Sequence, residues 1–216
     1  YKAAFNYSYN MRPKNYQPFK SNKIKLIKEF NFYLLPASVS FKSEWDRTYK
    51  EQQRRNLSKY DFDLPKTASK WFYWNRTYSV NYPISKGLKF SYNAANNSRL
   101  NEPSGVIDKS DADVWRDYKR EVWSSAKSFG ENMEFNQKWN LTWQVPINKI
   151  SLFDWTTTNY KYNGSYGWQM GTETEEDDEL DYGNNITNSG THTLDETLNF
   201  TRLYSKSKYL AGVELH

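Results

Sequence analysis

Glu44 and Asp46 stand two residues apart with Lys42 just before them, and paired carboxylates at that spacing are what general acid and base work requires. On an extended strand the three share one face, and a polar face carries such charges without any reaction. The acidic run Glu173, Glu175, Glu176, Asp177, Asp178, Glu179 and Asp181 offers hard oxygen ligands to calcium. It lacks the spacing and the glycine of an EF-hand loop and reads as a solvated, self-repelling loop tip. Asn-x-Ser/Thr sequons begin at Asn6, Asn56, Asn75, Asn96, Asn140, Asn163, Asn185 and Asn199, but most fall on strand faces built of Asn, Ser and Thr. The chain has no cysteine and only two histidines, His192 and His216, which removes thiol catalysis, disulfides, cysteine-ligated metals and most histidine chemistry. No nucleotide-binding loop occurs. The expectation is no catalytic residue, no metal and no cofactor.

Composition sharpens the problem. The 216 residues include 9 Trp, 18 Tyr and 12 Phe, yet only 37% are hydrophobic and the mean hydropathy is -0.99. Rings this dense argue against disorder, and apolar runs no longer than Trp71 to Trp74 exclude a transmembrane helix. The net charge of +5 leaves a nucleic-acid surface to be weighed. The chain opens at Tyr1 without Met and ends on Val213-Glu214-Leu215-His216, which looks like the start of a strand. It therefore reads as a piece of something longer.

The elements that position these residues show in a period of two, because successive β side chains point to opposite faces. From Met133 to Val145 one face carries Met133, Phe135, Gln137, Trp139, Leu141, Trp143 and Val145, and the other Glu134, Asn136, Lys138, Asn140, Thr142 and Gln144. From Phe72 to Tyr82 the faces are Phe72, Trp74, Arg76, Tyr78, Val80 and Tyr82 against Tyr73, Asn75, Thr77, Ser79 and Asn81. Tyr160, Tyr162, Gly164, Tyr166, Trp168 and Met170 oppose Asn159, Lys161, Asn163, Ser165, Gly167 and Gln169. Val39, Phe41, Trp45 and Tyr49 oppose Ser40, Lys42, Glu44, Asp46 and Thr48, and Leu88, Phe90, Tyr92 and Ala94 oppose Lys89, Ser91, Asn93 and Ala95. Ala3 to Asn10, Ile186 to Leu203 and the final residues complete about eight strands.

A soluble sandwich also alternates, so length and connection carry the distinction. Strands of roughly 11 to 18 residues exceed the usual 5 to 6 of globular sheets and suffice for the roughly 9 to 11 that cross a bilayer on a tilt. Joins alternate between short (82–87, 146–153, 205–210) and long (51–70, 101–130, 171–184), the asymmetry of an outer-membrane barrel with short periplasmic turns and long extracellular loops. The link 11–36 belongs on the periplasmic side but is long and basic, with Lys14, Lys20, Lys23, Lys25 and Lys28, and is expected to fold under the barrel or occupy its lumen. In the loop 101–130, Ser110-Asp111-Ala112-Asp113 resembles an N-cap, Val114, Tyr118 and Val122 recur at helical spacing, and Gly130 offers a stop. A helix over 111–129 is predicted.

The expected lipid-facing residues are therefore Phe72, Trp74, Tyr78, Tyr82, Phe135, Trp139, Trp143, Tyr160, Tyr162 and Trp168. The expected lumen-facing residues are Lys42, Glu44, Asp46, Asn75, Thr77, Asn93, Asn136, Lys138, Asn140, Asn159 and Lys161. Because Lys138 and Lys161 point away from the rings, base stacking in a nucleic-acid groove is disfavoured. Arg76 breaks the ring face: it snorkels, or a bulge shifts the register, or this wall meets a protein partner. Arg47, near a strand end, is accommodated by snorkelling.

Particular stretches carry a resemblance. Asn31-Phe32-Tyr33-Leu34-Leu35-Pro36-Ala37-Ser38-Val39-Ser40-Phe41 with Trp45-Asp46-Arg47, Asn101-Glu102-Pro103 with Ile107-Asp108, Val145-Pro146-Ile147-Asn148-Lys149-Ile150 leading to Asp154-Trp155, and Gly183 to Ser189 leading to Leu203-Tyr204 resemble the barrel of the SprA/Sov family. Members of that family are outer-membrane translocons of the type 9 secretion system in Bacteroidetes. The resemblance implies an antiparallel transmembrane β-barrel wall segment, an all-β arc of a much larger barrel. It further implies secreted cargo proteins with a C-terminal signal, a PorV-like shuttle protein and a plug protein as partners, beside outer-membrane lipid and the remainder of the same barrel. Two other readings stay open: a smaller complete barrel, porin-like or adhesive, and a soluble glycan-binding β-sandwich.

Overall fold

The computed structural model describes residues 1–20, 23–56, 64–171 and 183–206. Its main feature is a seven-stranded antiparallel sheet in the order β1-β4-β5-β6-β7-β8-β9. The strands are β1 (Lys2–Asn10), β4 (Ser38–Gln52), β5 (Thr67–Pro83), β6 (Leu88–Arg99), β7 (Glu131–Val145), β8 (Thr156–Gln169) and β9 (Asn185–Leu198). A second, two-stranded sheet pairs β2 (Asn15–Tyr16) with β3 (Phe32–Tyr33) inside the link. Sequential neighbours pair throughout, so the main sheet is a meander once the link is passed over.

The joins separate by length across the two rims. At one rim lie the turn 84–87 and the segment 146–155; at the other lie 100–130 and the strand ends Gln52, Thr67, Gln169 and Asn185, between which the other two long joins run. Ser85 makes the tightest turn, accepting from the amides of Gly87 (3.2 Å) and Leu88 (3.0 Å) through its hydroxyl. Pro83 sits as the last residue of β5, where its missing N–H does least harm to the ladder.

Period two and continuous register produce two chemically distinct faces. On β5 the ladder sets Trp74 opposite Trp45 and Ser98, Tyr78 opposite Phe41 and Ala94, and Tyr82 opposite Phe90. On β7 it sets Phe135 opposite Trp168, Leu141 opposite Tyr162 and Trp143 opposite Tyr160. All these residues share one face, here the ring face. The other face is mostly polar, from Lys42 and Thr77 to Asn140 and Asn163, with Trp71 and Tyr73 of β5 as its rings.

Among the described residues the buried apolar side chains are Ala94 and Leu100. A sheet normally buries one face against a second layer, yet here Tyr78 stays 37% exposed in mid-sheet and Trp143 40% near its short-join rim. Neither face has enough protein over it to form a core.

Three details differ from expectation. β9 ends at Leu198 rather than Leu203, because Asn199 accepts from the amide of Arg202 (2.9 Å) and caps a short helix, α3 (Phe200–Tyr204). Met133 keeps the β7·β8 register, accepting from the Met170 amide (2.9 Å), but is displaced from β6. A bulge pairs Asn97 with Glu134 and Ser98 with Asn132, so Met133 has no partner on β6 and Asn132 takes the place beside Ser98. The link, expected to fold under the barrel or occupy its lumen, carries elements that the alternation did not indicate: β2, a single turn α1 (Lys25–Lys28) and β3. The acidic run 173–181 and the strand expected at the chain's end lie outside the described residues.

The loop 100–130 carries α2 (Ala112–Lys127), capped by Asp111, whose carboxylate accepts from the amides of Asp113 and Val114. Trp115, Tyr118 and Val122 form its half-buried side, while Val114 is 51% exposed. Phe129 and Gly130 end it with φ of 64° and 71°, and a Cβ on Gly130 would press against the Arg99 carbonyl at 2.7 Å.

Candidate functional site

The functional surface is the pair of faces, with a buried polar cluster where the long loop meets the ring face. On the polar face charges are matched locally. Lys42 pairs with Glu44 (2.7 Å) and Lys2 with Asp46 (2.9 Å), so the two carboxylates serve separate ion pairs rather than one reaction centre. Lys161 pairs with Asp195 across β8 and β9 (3.1 Å), Asn140 donates to Asn163, and Asn136 donates to Glu134 (2.5 Å). Glu44 lies opposite Asn75, Lys42 opposite Thr77, Asn93 opposite Lys138, and Asn159 opposite Asp195. All eleven residues expected toward a lumen lie on this face.

All ten residues expected toward lipid lie on the other. Their rings contact across strands: Phe41 and Tyr78 at 5.2 Å, Trp45 and Trp74 at 5.8 Å. Such pairs contribute about 0.5 to 1.5 kcal/mol each beyond burial. Trp139 lies over Gly164, where an added Cβ would overlap the indole. Tyr92 donates to Gln137 (2.9 Å), and the Tyr160 hydroxyl meets His192 Nδ1 at 2.7 Å, so polar tips on this face are partnered within it.

Arg76 stays in the ring row, since the β4·β5 and β5·β6 registers run unbroken through it. It is 7% exposed, so its guanidinium does not snorkel to the surface. Its Nη2 reaches Asn96 Oδ1, Ser98 Oγ (2.7 Å) and the Phe129 carbonyl (3.2 Å). The guanidinium lies against both Trp74 (4.6 Å) and Phe129 (5.3 Å), whose rings stack on each other at 5.8 Å. The bulge at Met133 brings Asn132 Oδ1 to 3.0 Å from both Asn96 Nδ2 and Ser98 Oγ and so completes the cluster.

A second cluster pins the loop. Arg47 donates through Nε and Nη2 to Glu102 (2.5 and 2.9 Å), and Tyr118 donates to the same carboxylate (2.6 Å). The Glu102 side chain is 3% exposed. Burial opposes its ionisation, but the hydrogen bonds from Arg47 and Tyr118 outweigh it and hold its pKa below the ordinary value. Burial and the Glu102 partner push the Tyr118 phenol up. Lys70 closes the group with Nζ on the Pro103 carbonyl (2.7 Å).

Sequence reasoning missed Asn96, Ser98, Asn132 and the Glu102 group. A signal for the first two was present: continuing the β6 alternation past Ala95 places Asn96 and Ser98 on the ring face, opposite Arg76 and Trp74. Among the described residues no three His, Asp or Glu side chains gather as metal ligands, and no helix is long and apolar enough to cross a membrane. No protein-family model matches the chain, and no curated protein matches it.

Proposed function

We propose that this chain is a wall segment of an outer-membrane, multi-pass β-barrel of the SprA/Sov kind, the protein-conducting channel of type 9 secretion. One observation carries the reading: a single-layer sheet of long antiparallel strands keeps most of its rings on one face and mostly Asn, Ser, Thr and paired charges on the other, with neither face covered by a second layer among the described residues. Lipid on the ring side and water on the polar side satisfy both faces at once. Trp and Tyr suit the bilayer interface, where an apolar body and a polar tip are both accommodated.

The mechanism is passive. A wide lumen lined by Asn75, Asn93, Asn140 and matched ion pairs offers a folded cargo protein no apolar surface to adhere to. In this reading the wall supplies neither chemistry nor driving force, and the rings on the polar face, Trp71 and Tyr73, stand together toward the long-join end of β5 and form no stacking ladder along it. Secreted proteins with a C-terminal signal are the proposed cargo, with a PorV-like shuttle and a plug protein as partners of the whole barrel. The remaining barrel would pair with β1 and β9, which form opposite edges of the sheet. Bare edges of this length are a hazard in water, and closure of this chain on itself would pair these two strands instead.

Purification of the full-length protein with and without detergent tests the reading. The expected result is a folded, β-rich species in detergent and aggregation without it. A monomer that stays soluble without detergent overturns the reading in favour of a soluble sheet protein.

A further inference from the structure

The link between β1 and β4 is long where its rim otherwise has short joins, and its composition is one-sided. Residues 11–37 hold Arg12, Lys14, Lys20, Lys23, Lys25 and Lys28 but a single acid, Glu29. That acid is already taken: Lys149 holds it at 2.5 Å. The link is also folded. β2 and β3 close it at the base, and Tyr16, Phe19, Phe30 and Phe32 form a chain of ring contacts at 5.8 to 6.2 Å.

Its place is on the ring side of the rim. Tyr82 donates to the Tyr33 carbonyl (2.8 Å), the Tyr33 amide donates to Ile84 (3.0 Å), and Asn31 accepts from the Lys86 amide (2.8 Å). The link shares a cavity of about 640 Å³ with Leu88 and Trp143, both ring-face residues. Apolar side chains are left uncovered on this folded lobe: Ile24 is 59% exposed, Phe30 52%, Leu34 61% and Leu35 56%.

We infer that this lobe is an interfacial anchor, seated on the anionic phospholipid headgroups of the leaflet at the short-join rim. This rests on the membrane reading of the sheet and deepens it. An apolar surface interspersed with lysines and almost free of acid is the composition that lies in a headgroup layer, its apolar groups dipping below the phosphates and its ammonium groups meeting them. Charge complementarity selects the partner, since each lysine near an anionic surface favours seating by roughly five-fold. The anomalous length of the link then has a purpose: a two-residue turn could not carry such a lobe.

The test uses the full-length protein with single cysteines in a cysteine-free background, each bearing an environment-sensitive fluorophore. Leu34→Cys reports the lobe, and Leu141→Cys reports the ring face. Vesicles are phosphatidylethanolamine with a quarter phosphatidylglycerol, doped with lipids spin-labelled either near the headgroup or near the tail end. The expected result is quenching of the Leu34 probe chiefly by the headgroup label, weakened when Lys25→Glu and Lys28→Glu are combined, and quenching of the Leu141 probe by the tail label. A quenched Leu141 probe with an unquenched Leu34 probe overturns the anchor and leaves the membrane wall standing, the result a protein partner on the lobe would give. Leu34 quenching indifferent to the two charge reversals overturns it as well. If neither probe is quenched, both the anchor and the membrane wall fail.

Discussion

Glu102 is the residue on which the long loop depends most. Its carboxylate is almost fully enclosed and accepts from Arg47 and Tyr118, 55 and 16 residues away in sequence. Glu102→Gln leaves Arg47 facing a neutral amide, and the docked loop should lose about 2 to 3 kcal/mol. Faster hydrogen exchange through α2, with the sheet unaffected, would register this. Because the folded pKa lies below the ordinary value, the stabilisation is complete above the unfolded carboxylate value of about 4.3 and is lost as pH falls through the folded one. Loop opening in the wild type should therefore rise only below about pH 4 and should lose this dependence in Glu102→Gln. Gly164 gives a second test at this scale. Gly164→Ala drives a methyl into the Trp139 indole and should cost about 1 to 3 kcal/mol in denaturant unfolding, with much of the loss relieved when Trp139→Ala is combined with it. Arg76 was legible from parity alone as the exception on a ring face. Its partners were not, because Asn132 reaches the cluster only through a bulge and Phe129 only through closure of a thirty-residue loop.

At the level of elements, what showed in the sequence was what depends on local alternation. β4, β5, β7 and β8 each alternate ring-rich and polar positions over most of their length, and the alternation survives into the ladder. Less was visible where a side chain competes with the backbone. Asn199 stops β9 early by capping α3, and a period-two reading cannot register an Asn that leaves the strand to accept an amide. The α2 helix was announced by Asp111, yet its half-buried stripe is Trp115, Tyr118 and Val122, because Lys70 and Arg47 draw Tyr118 toward the sheet and turn Val114 outward. Removing the cap with Asp111→Ala should cost α2 about 1 kcal/mol. Amide exchange in the first helical turn should accelerate while the Glu102 contacts hold the rest of the helix. The shape of the link was beyond reach of local pattern, since β2 and β3 are two residues each and pair across the whole lobe.

For the whole molecule, the decisive property is the absence of a core among the described residues. In the proposed reading, a sheet of seven strands that encloses two apolar residues among those described is stabilised by what covers the rings and by what pairs with β1 and β9. The composition that looked contradictory, many rings in a polar chain, is what a wall between two solvents requires. The account therefore stands or falls on which solvent meets which face. Single cysteines placed in turn from Phe135 to Val145 along β7 of the full-length, membrane-embedded protein, and challenged with a membrane-impermeant maleimide, measure this directly. The account predicts that Asn136, Lys138, Asn140, Thr142 and Gln144 positions label from water while Phe135, Gln137, Trp139, Leu141 and Trp143 positions do not. Equal labelling at both sets, or labelling of the ring positions alone, would contradict it.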